Sequence, residues 1–228
     1  MNQILLGEQL RAARIARNVS LRSVAAAIGV SPSLLSQIEN GKTNPSVDTL
    51  YALVQQLDVS VDAIMGIDAG SPAGTGSAAA PLNVDTVVQR LADTPVIEME
   101  HGVRWERLAV LPGQDVEALR VTYQPGAASS TKGHQMEHWG YEHLAIVSGE
   151  LRVEIGTDTF VLQAGDSMAF DSRRPHMFTN TAETAALGIW FMNGRQAQLA
   201  HEGTTEASSD KAGAPVSARD VLRSFRDQ

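Results

Sequence analysis

The sequence has 228 residues, 43% of them apolar and none of them cysteine, which fits one large or two small domains and excludes disulfides and thiolate metal sites. Its net charge of −8 argues against a protein that coats nucleic acid, but residues 1–66 hold five basic and five acidic side chains, so the excess negative charge lies beyond them. It has neither a signal-peptide h-region nor the roughly 20 consecutive apolar residues of a membrane span, and we therefore expect a soluble cytoplasmic protein.

The first predicted elements are five short helices within residues 3–65. Apolar residues recur there at helical spacing. Ser20, Ser31 and Ser46 stand where N-caps are expected, because a serine hydroxyl can accept a hydrogen bond from the first turn of a helix. We therefore expect an all-α domain at the N-terminus.

Residues 21–40 fit a helix-turn-helix. Such a motif needs buried apolar residues on both helices, a small residue where they cross, and a turn residue that tolerates positive φ. All seven positions carry a suitable residue: Val24, Ala25, Ile28, Gly29, Val30, Leu35 and Ile38. The alternative, an ordinary helical hairpin, does not require all seven together.

The stretch SPSLLSQIENGKTNPSVDTLYALVQQLDVSVDAIM resembles the five-helix DNA-binding domain of the phage-repressor (Cro-like, or XRE) family, over about residues 6–65. The resemblance implies that the second helix of the motif enters the major groove of double-stranded DNA. Ser33, Ser36 and Gln37 would then face base edges, since a glutamine amide suits adenine. The ring of Pro32 would meet a thymine methyl group.

The same resemblance implies contacts to DNA phosphates, which fix register rather than sequence. The residues at these positions are Arg17, Ser31, Asn40, Lys42 and Asn44. One domain with so few cations would bind weakly, because phosphate neutralisation supplies most non-specific affinity. We therefore expect a homodimer on a pseudo-palindromic operator.

A Gly-, Ala-, Ser- and Pro-rich stretch follows the helices and predicts a flexible linker at residues 66–94. From 95 to 194 the apolar period changes to two, as in Glu150–Ile155, and turn signals separate the runs. This pattern predicts an antiparallel sandwich or barrel. Residues 195–228 predict a polar tail, in which the capping-box start at 217 indicates a short helix at 217–226.

The strand region resembles the cupin family, a double-stranded β-helix barrel, from about residue 108 to 192. The motifs that carry this resemblance are GHQMEHWGYEHLAIVSG at 133–149 and a Gly … His-x-x-x-Asn motif that ends at Asn180. Met136 stands where the family has its first histidine. What remains is His138, Glu142 and His176, a set of ligands that holds a divalent metal such as Fe, Mn, Zn or Ni and leaves positions open.

His134 shares the parity of His138 and Glu142, so an extended segment would aim all three side chains inward and His134 could join the metal site. The alternative is a metal-free pocket, in which these side chains hydrogen-bond each other or a ligand. The sequence leaves both open.

The combined pattern predicts a transcriptional regulator whose cupin domain binds a small-molecule effector, with no catalytic residue. The hydroxypropylphosphonate epoxidase family pairs the same two domains with a similar His-x-x-x-Glu … His triad, which makes an iron-dependent enzyme the alternative. In that family a lysine of the helical domain helps bind substrate, and Asn18 stands in its place. A third interpretation is a cupin whose helical domain serves only for dimerisation.

Overall fold

The computed structural model describes residues 3–65, 88–111, 116–130 and 134–194. Helices precede strands in these residues, so the predicted fold class, an all-α domain followed by an all-β domain, is confirmed. Most of the predicted linker, residues 66–87, and the predicted tail at 195–228 with its helix at 217–226 lie outside the described residues. Within the described end of the linker, Leu91–Asp93 forms a 3-10 turn.

Five α-helices form the N-terminal domain: α1 (Gln3–Ala16), α2 (Leu21–Ala27), α3 (Pro32–Glu39), α4 (Val47–Leu57) and α5 (Val61–Ile64). Ser20, Ser31 and Ser46 each accept a hydrogen bond from the backbone N–H three residues on, at 3.0 to 3.2 Å. Ser60 does the same for α5 at 2.9 Å. These hydroxyls satisfy N–H groups that the first turn leaves without a helical partner, so four of the five helices begin at a serine.

The helix-turn-helix consists of α2, a glycine turn and α3. Gly29 has a φ of +72°, a conformation that costs a residue with a Cβ about 1–2 kcal/mol. Val24 and Ala25 of α2 and Leu35 and Ile38 of α3 are at most 2% exposed. The predicted packing of this motif is therefore present in the structure.

Helix α1 holds α3 in place through a close approach and an ion pair. A Cβ at Gly7 would lie 2.3 Å from the carbonyl oxygen of Ile38, so only glycine fits there. The guanidinium of Arg14 donates two hydrogen bonds to the buried carboxylate of Glu39, at 2.6 and 2.9 Å. It donates a third to the carbonyl of Val19 at 3.1 Å. The C-terminal end of α3 is thus fixed to α1.

The described residues of the second domain form nine strands: β1 (Val96–Glu98), β2 (Val103–Arg107), β3 (Val116–Tyr123), β4 (Tyr141–Ser148), β5 (Glu150–Ile155), β6 (Asp158–Gln163), β7 (Ser167–Asp171), β8 (His176–Thr179) and β9 (Ala186–Asn193). One sheet has the order β1-β2-β3-β9-β4-β7 and the other the order β6-β5-β8. All named strand pairs are antiparallel.

The core of the second domain lies between the two sheets. Burial alternates along β4, where Glu142, Leu144 and Ile146 are buried and their neighbours are exposed, as expected for side chains that point to opposite faces of a strand. Phe178 of β8 packs edge-on against Trp190 of β9, with 5.6 Å between ring centroids. Side chains from both sheets therefore meet inside the barrel.

The helical domain packs directly against the barrel. The backbone N–H of Asp48 donates to the carbonyl of Ser129 at 3.1 Å, and that of Glu100 donates to the carbonyl of Pro45 at 2.9 Å. Helix α4 and the segment before it form this contact. The two domains are thus joined by backbone hydrogen bonds in addition to the chain that connects them.

Candidate metal centre and DNA-binding surface

Three side chains, His138, Glu142 and His176, come together inside the barrel. Glu142 points inward from β4, His176 is the first residue of β8, and His138 lies in the loop before β4. Each residue is at most 6% exposed. Oε1 of Glu142 lies 2.7 Å from Nε2 of His138 and 3.1 Å from Nε2 of His176. One ligand atom of each side chain lies within 4.8 Å of the others, so the three predicted ligands form one cluster.

The second nitrogen of each imidazole contacts a backbone carbonyl. Nδ1 of His176 lies 2.8 Å from the carbonyl oxygen of Arg174, and Nδ1 of His138 lies 3.2 Å from that of Trp139. Because a carbonyl only accepts hydrogen bonds, these partners assign the hydrogen to Nδ1 in both rings. In the neutral rings both Nε2 lone pairs then face the same oxygen of Glu142.

This arrangement fits a divalent cation. Nε2 of His176 is buried and has no hydrogen-bond partner of acceptable geometry in the described part of the chain, although the oxygen of Glu142 is close. A buried nitrogen without a partner is costly, and a cation bound to the lone pair would remove that cost. Histidines that bind metals usually donate their other N–H to a carbonyl or carboxylate, as these two do.

The charges of the cluster also favour a cation. Burial raises the pKa of Glu142, but the hydrogen bond with His138 and the closeness of both imidazoles outweigh burial and lower the pKa to about 2. Burial lowers the pKa of His176, but the nearby carboxylate of Glu142 outweighs burial, so the net pKa is raised. Glu142 is therefore an anion at neutral pH. A metal must compete with a proton for Nε2 of His176, so its affinity depends on pH.

His134 does not join the cluster, and the parity argument that placed it there was wrong. The residue is exposed, and the three clustered side chains do not include it. Parity holds within a strand, but residues 134–140 form a loop in which Met136 makes a single bridge to His176. The charge of His134 instead lowers the pKa of Asp48 on α4, less than burial raises it.

A small cavity adjoins the cluster, and helix α4 closes part of it. Its enclosed part has room for about one water molecule. The lining residues come from both domains and are mostly apolar: Val47, Tyr51, Trp105, Leu119, Val121, Tyr123, Met136, Glu142, Phe178, Trp190 and Met192. A metal ion therefore fits beside this cavity more readily than a metabolite does.

The predicted base-reading residues lie on the outer side of α3. Pro32, Ser33 and Gln37 are exposed and Ser36 is half-buried. The Oγ of Ser31 accepts the hydrogen bond that caps α3, which leaves its O–H free to donate to a phosphate. The structure brings these five residues together on one surface.

The other four residues predicted to contact phosphates differ in their exposure and in their hydrogen-bond or ion-pair partners. Asn40 and Lys42 are exposed just after α3, and Asn44 is half-buried. The Nδ2 of Asn40 donates to the carbonyl of Ser36 at 2.7 Å. Arg17 forms an exposed ion pair with Asp58, so a phosphate would have to compete with that carboxylate.

Two residues that contribute to these sites were missed in the sequence. Arg14 fixes the end of α3 through Glu39. No signal in the sequence marked it, because an arginine on the solvent-facing side of α1 would fit the same pattern. Tyr51 stacks on His138. Helix α4 carries buried residues around much of its circumference, a pattern typical of a helix that packs on two sides, and this signal was available.

Comparison with known proteins identifies both domains. The helix-turn-helix family model matches residues 10–64, and the cupin domain model matches residues 119–192. Together the matches cover more than half of the chain. The chain therefore has an XRE-type helix-turn-helix domain followed by a cupin domain, and it is similar to HTH-type transcriptional regulators. The predicted family is thereby confirmed.

Two proteins match this chain over most of their own length. It is 26% identical over 176 residues to the HTH-type transcriptional regulator PuuR of Escherichia coli strain K12, a match that covers 77% of this chain and 88% of PuuR. A helix-turn-helix transcriptional regulator from Vibrio cholerae has the same fold, with 19% identity and a TM-score of 0.57 over 85% of this chain and 97% of that one.

The hydroxypropylphosphonic acid epoxidase from S. wedmorenis is 19% identical, with a TM-score of 0.41 over 84% of this chain and 98% of its own. A likeness at that level supports no conclusion about function. No helix in the described residues of the regulator is both long and apolar enough to cross a bilayer.

Proposed function

We propose that this regulator binds operator DNA as a homodimer, with α3 in the major groove. The observation that carries the proposal is the division of α3 into two faces. Leu35 and Ile38 are buried in the domain, whereas Pro32, Ser33 and Gln37 are exposed. The described contacts with the barrel involve α1, α4, α5 and the segment before α4, and the exposure of Pro32, Ser33 and Gln37 shows that the outer face of α3 is open to solvent.

The chemistry of the exposed face suits base recognition. The amide of Gln37 can both donate to and accept from the edge of adenine, and the hydroxyls of Ser33 and Ser36 accept several bases. The ring of Pro32 offers an apolar surface to a thymine methyl group. Phosphate contacts would come from five residues that flank these: Arg17, Ser31, Asn40, Lys42 and Asn44.

The charge of the helical domain favours two copies. Residues 1–66 carry no net charge, and Arg14 and Arg17 are already paired with carboxylates. Few cations are left to neutralise phosphates, so one domain would bind weakly. A two-fold dimer would place two α3 helices on one operator, about one turn of duplex apart.

In the barrel we propose a divalent metal held by His138, Glu142 and His176. Two imidazoles and one carboxylate suit Fe(II) or Mn(II), and imidazole also accepts Zn or Ni. When bound, the ion would supply a Lewis acid with open positions, which a small-molecule effector would reach only after displacing part of the cavity lining. A ligand that binds better to one arrangement of the DNA-binding domains than to another would change operator affinity. We also propose a cytoplasmic location, where such a regulator meets DNA.

A gel-shift assay with duplex DNA from upstream of the regulator's own gene tests the DNA proposal. The protein should form a complex at low salt, and Gln37→Ala should weaken it by about 5- to 150-fold, which corresponds to about 1–3 kcal/mol. Gln56→Ala is the matched control, because Gln56 is exposed on α4, away from α3. No complex at micromolar protein, or an equal loss in both variants, would contradict the proposal.

Metal analysis tests the barrel proposal. Purified protein loaded with Mn(II) or Fe(II) should hold about one ion per chain, and His176→Ala should hold none. His143→Ala is the control, because His143 is an exposed histidine next to Glu142 in the chain. Equal metal content in both variants would show that the cluster is not the binding site.

We propose no enzymatic role. The helical residues that line the cavity are Val47 and Tyr51, neither of which carries a charge for an anionic substrate. Asn18, at the position of the epoxidase family's substrate lysine, is exposed in the turn after α1. The interpretation in which the helical domain only dimerises gives no reason for an exposed helix with the residues of α3.

A further inference from the structure

Tyr51 belongs to the helical domain, yet its ring stacks on His138, one of the three proposed metal ligands. The Tyr51 and His138 rings are stacked, with 4.5 Å between centroids and 28° between planes. Tyr51 is 4% exposed, and its hydroxyl donates to the sulfur of Met192 on β9 at 2.9 Å. The ring of Trp105 also lies close, with 5.4 Å between its centroid and that of Tyr51. The tyrosine is thus enclosed by the barrel.

A second contact fixes the same domain at a separate place. The guanidinium of Arg107 donates to both carboxylate oxygens of Asp62 on α5, at 2.5 and 2.6 Å. Its side chain is 2% exposed, and it also donates to the carbonyls of Leu108 and Ala118. This ion pair includes none of the three clustered side chains. Its removal should therefore weaken docking of the helical domain without altering the cluster directly.

We propose that Tyr51 is a positioning residue of the metal site, and that it couples binding of a divalent ion to docking of α4 against the barrel. The inference rests on the metal proposed above. The stacked ring restricts rotation of the His138 imidazole, whose Nε2 must face Glu142 to bind an ion. Outer-shell groups that orient a metal ligand by hydrogen bonds change metal affinity by about 10- to 100-fold when removed, and we expect an effect of that order for the stacked ring.

Coupling of this kind acts in both directions. If docking of α4 raises affinity for the ion, then the ion stabilises docking by the same factor. An occupied site would therefore hold the DNA-binding domain in the orientation described here. The ligand class that fits this state is a bare divalent ion, because the cavity beside Tyr51 has room for about one water molecule. A larger ligand would have to displace the tyrosine.

The first test measures Mn(II) affinity in the full-length chain. Tyr51→Ala should bind the ion about 10- to 100-fold more weakly than wild type. Tyr51→Phe keeps the stacked ring and should stay within about threefold of wild type. Wild-type affinity in both variants would overturn the inference and leave the metal site intact. Failure of the wild-type protein to bind any ion would instead overturn the metal proposal, and the inference with it.

The second test separates coupling from a local effect on His138. Asp62→Asn removes the interdomain ion pair without touching the cluster. It should speed amide hydrogen exchange in α4, and Mn(II) should restore part of the protection. It should also weaken Mn(II) binding in proportion to the docked fraction that is lost. Glu98→Gln, which removes an exposed ion pair with Arg104 on the barrel, is the control and should change neither quantity.

If Mn(II) leaves exchange in α4 unchanged in both wild type and Asp62→Asn, and Asp62→Asn binds the ion as wild type does, then docking and occupancy are independent. That result would overturn the coupling even if Tyr51→Ala weakens the site locally.

Discussion

Removal of the Arg14 side chain should destabilise the helical domain and loosen its DNA-reading helix. The Arg14 side chain is 13% exposed and that of Glu39 is 4% exposed, so Arg14→Ala leaves a buried carboxylate without a counter-charge. Breaking a buried pair in this way costs about 3–5 kcal/mol. Because the Arg14 side chain is partly exposed, we expect the lower end, about 3 kcal/mol.

For a domain of this size each kcal/mol lowers the melting temperature by about 4–8 °C, so the expected shift is about 12–24 °C. Circular dichroism at the helix wavelength is the suitable assay, because every described α-helix lies within residues 3–64. Operator affinity should fall in parallel, since Glu39 is the last residue of α3.

A double variant provides the control. Arg14→Met combined with Glu39→Leu removes both charges and keeps apolar volume, and such replacements are often neutral or stabilising. It should recover most of the lost stability. A loss below about 1 kcal/mol in Arg14→Ala, or no recovery in the double variant, would refute the assigned role of this ion pair.

Three further outcomes concern the turn, the phosphate contacts and the metal site. Gly29→Ala places a Cβ at a φ of +72° and should cost about 1–2 kcal/mol in urea denaturation; no loss would contradict the strain argument. Lys42→Ala should weaken binding to all duplexes alike and reduce the slope of log affinity against log salt by about 1, whereas a base-specific loss would assign Lys42 to base reading. Metal affinity should fall as pH drops through the raised pKa of His176, because protons compete with the ion for Nε2. Above that pKa the affinity should level off. Retention of the ion in dialysis at about pH 5 would argue against histidine ligands.

The helical domain could be predicted from sequence because its signals are local. A serine hydroxyl caps the helix that follows it, and Gly29 allows the positive φ of the turn. Both effects depend only on neighbouring residues. The strand positions followed from apolar alternation, which reports which side chains face a core. These signals placed α3 without any knowledge of the barrel, and the family resemblance selected the residues expected on its outer face.

The metal cluster could be predicted only in part. Glu142 lies on a strand, so its inward direction followed from alternation along β4. His134 and Met136 lie in a loop, where parity carries no information about direction. The motif spacing, not the parity, identified His138 and His176.

The contact between domains could not be derived from spacing. Tyr51 lies on a helix whose buried residues also serve the helical core, and periodicity does not tell which neighbour a buried ring meets. The same is true of Arg107, whose full burial depends on a carboxylate 45 residues earlier in the chain. Such contacts depend on tertiary structure, and the sequence pattern records only that the positions are apolar or charged.

Selection of binding sites from a random duplex pool tests most directly whether α3 reads DNA. The account predicts enrichment of one sequence with two half-sites related by two-fold symmetry and centred about 10 base pairs apart. It also predicts that Gln37→Ala loses preference at one position in each half-site. A pool that stays random after repeated selection at low salt would contradict the claim that this protein regulates through sequence-specific binding.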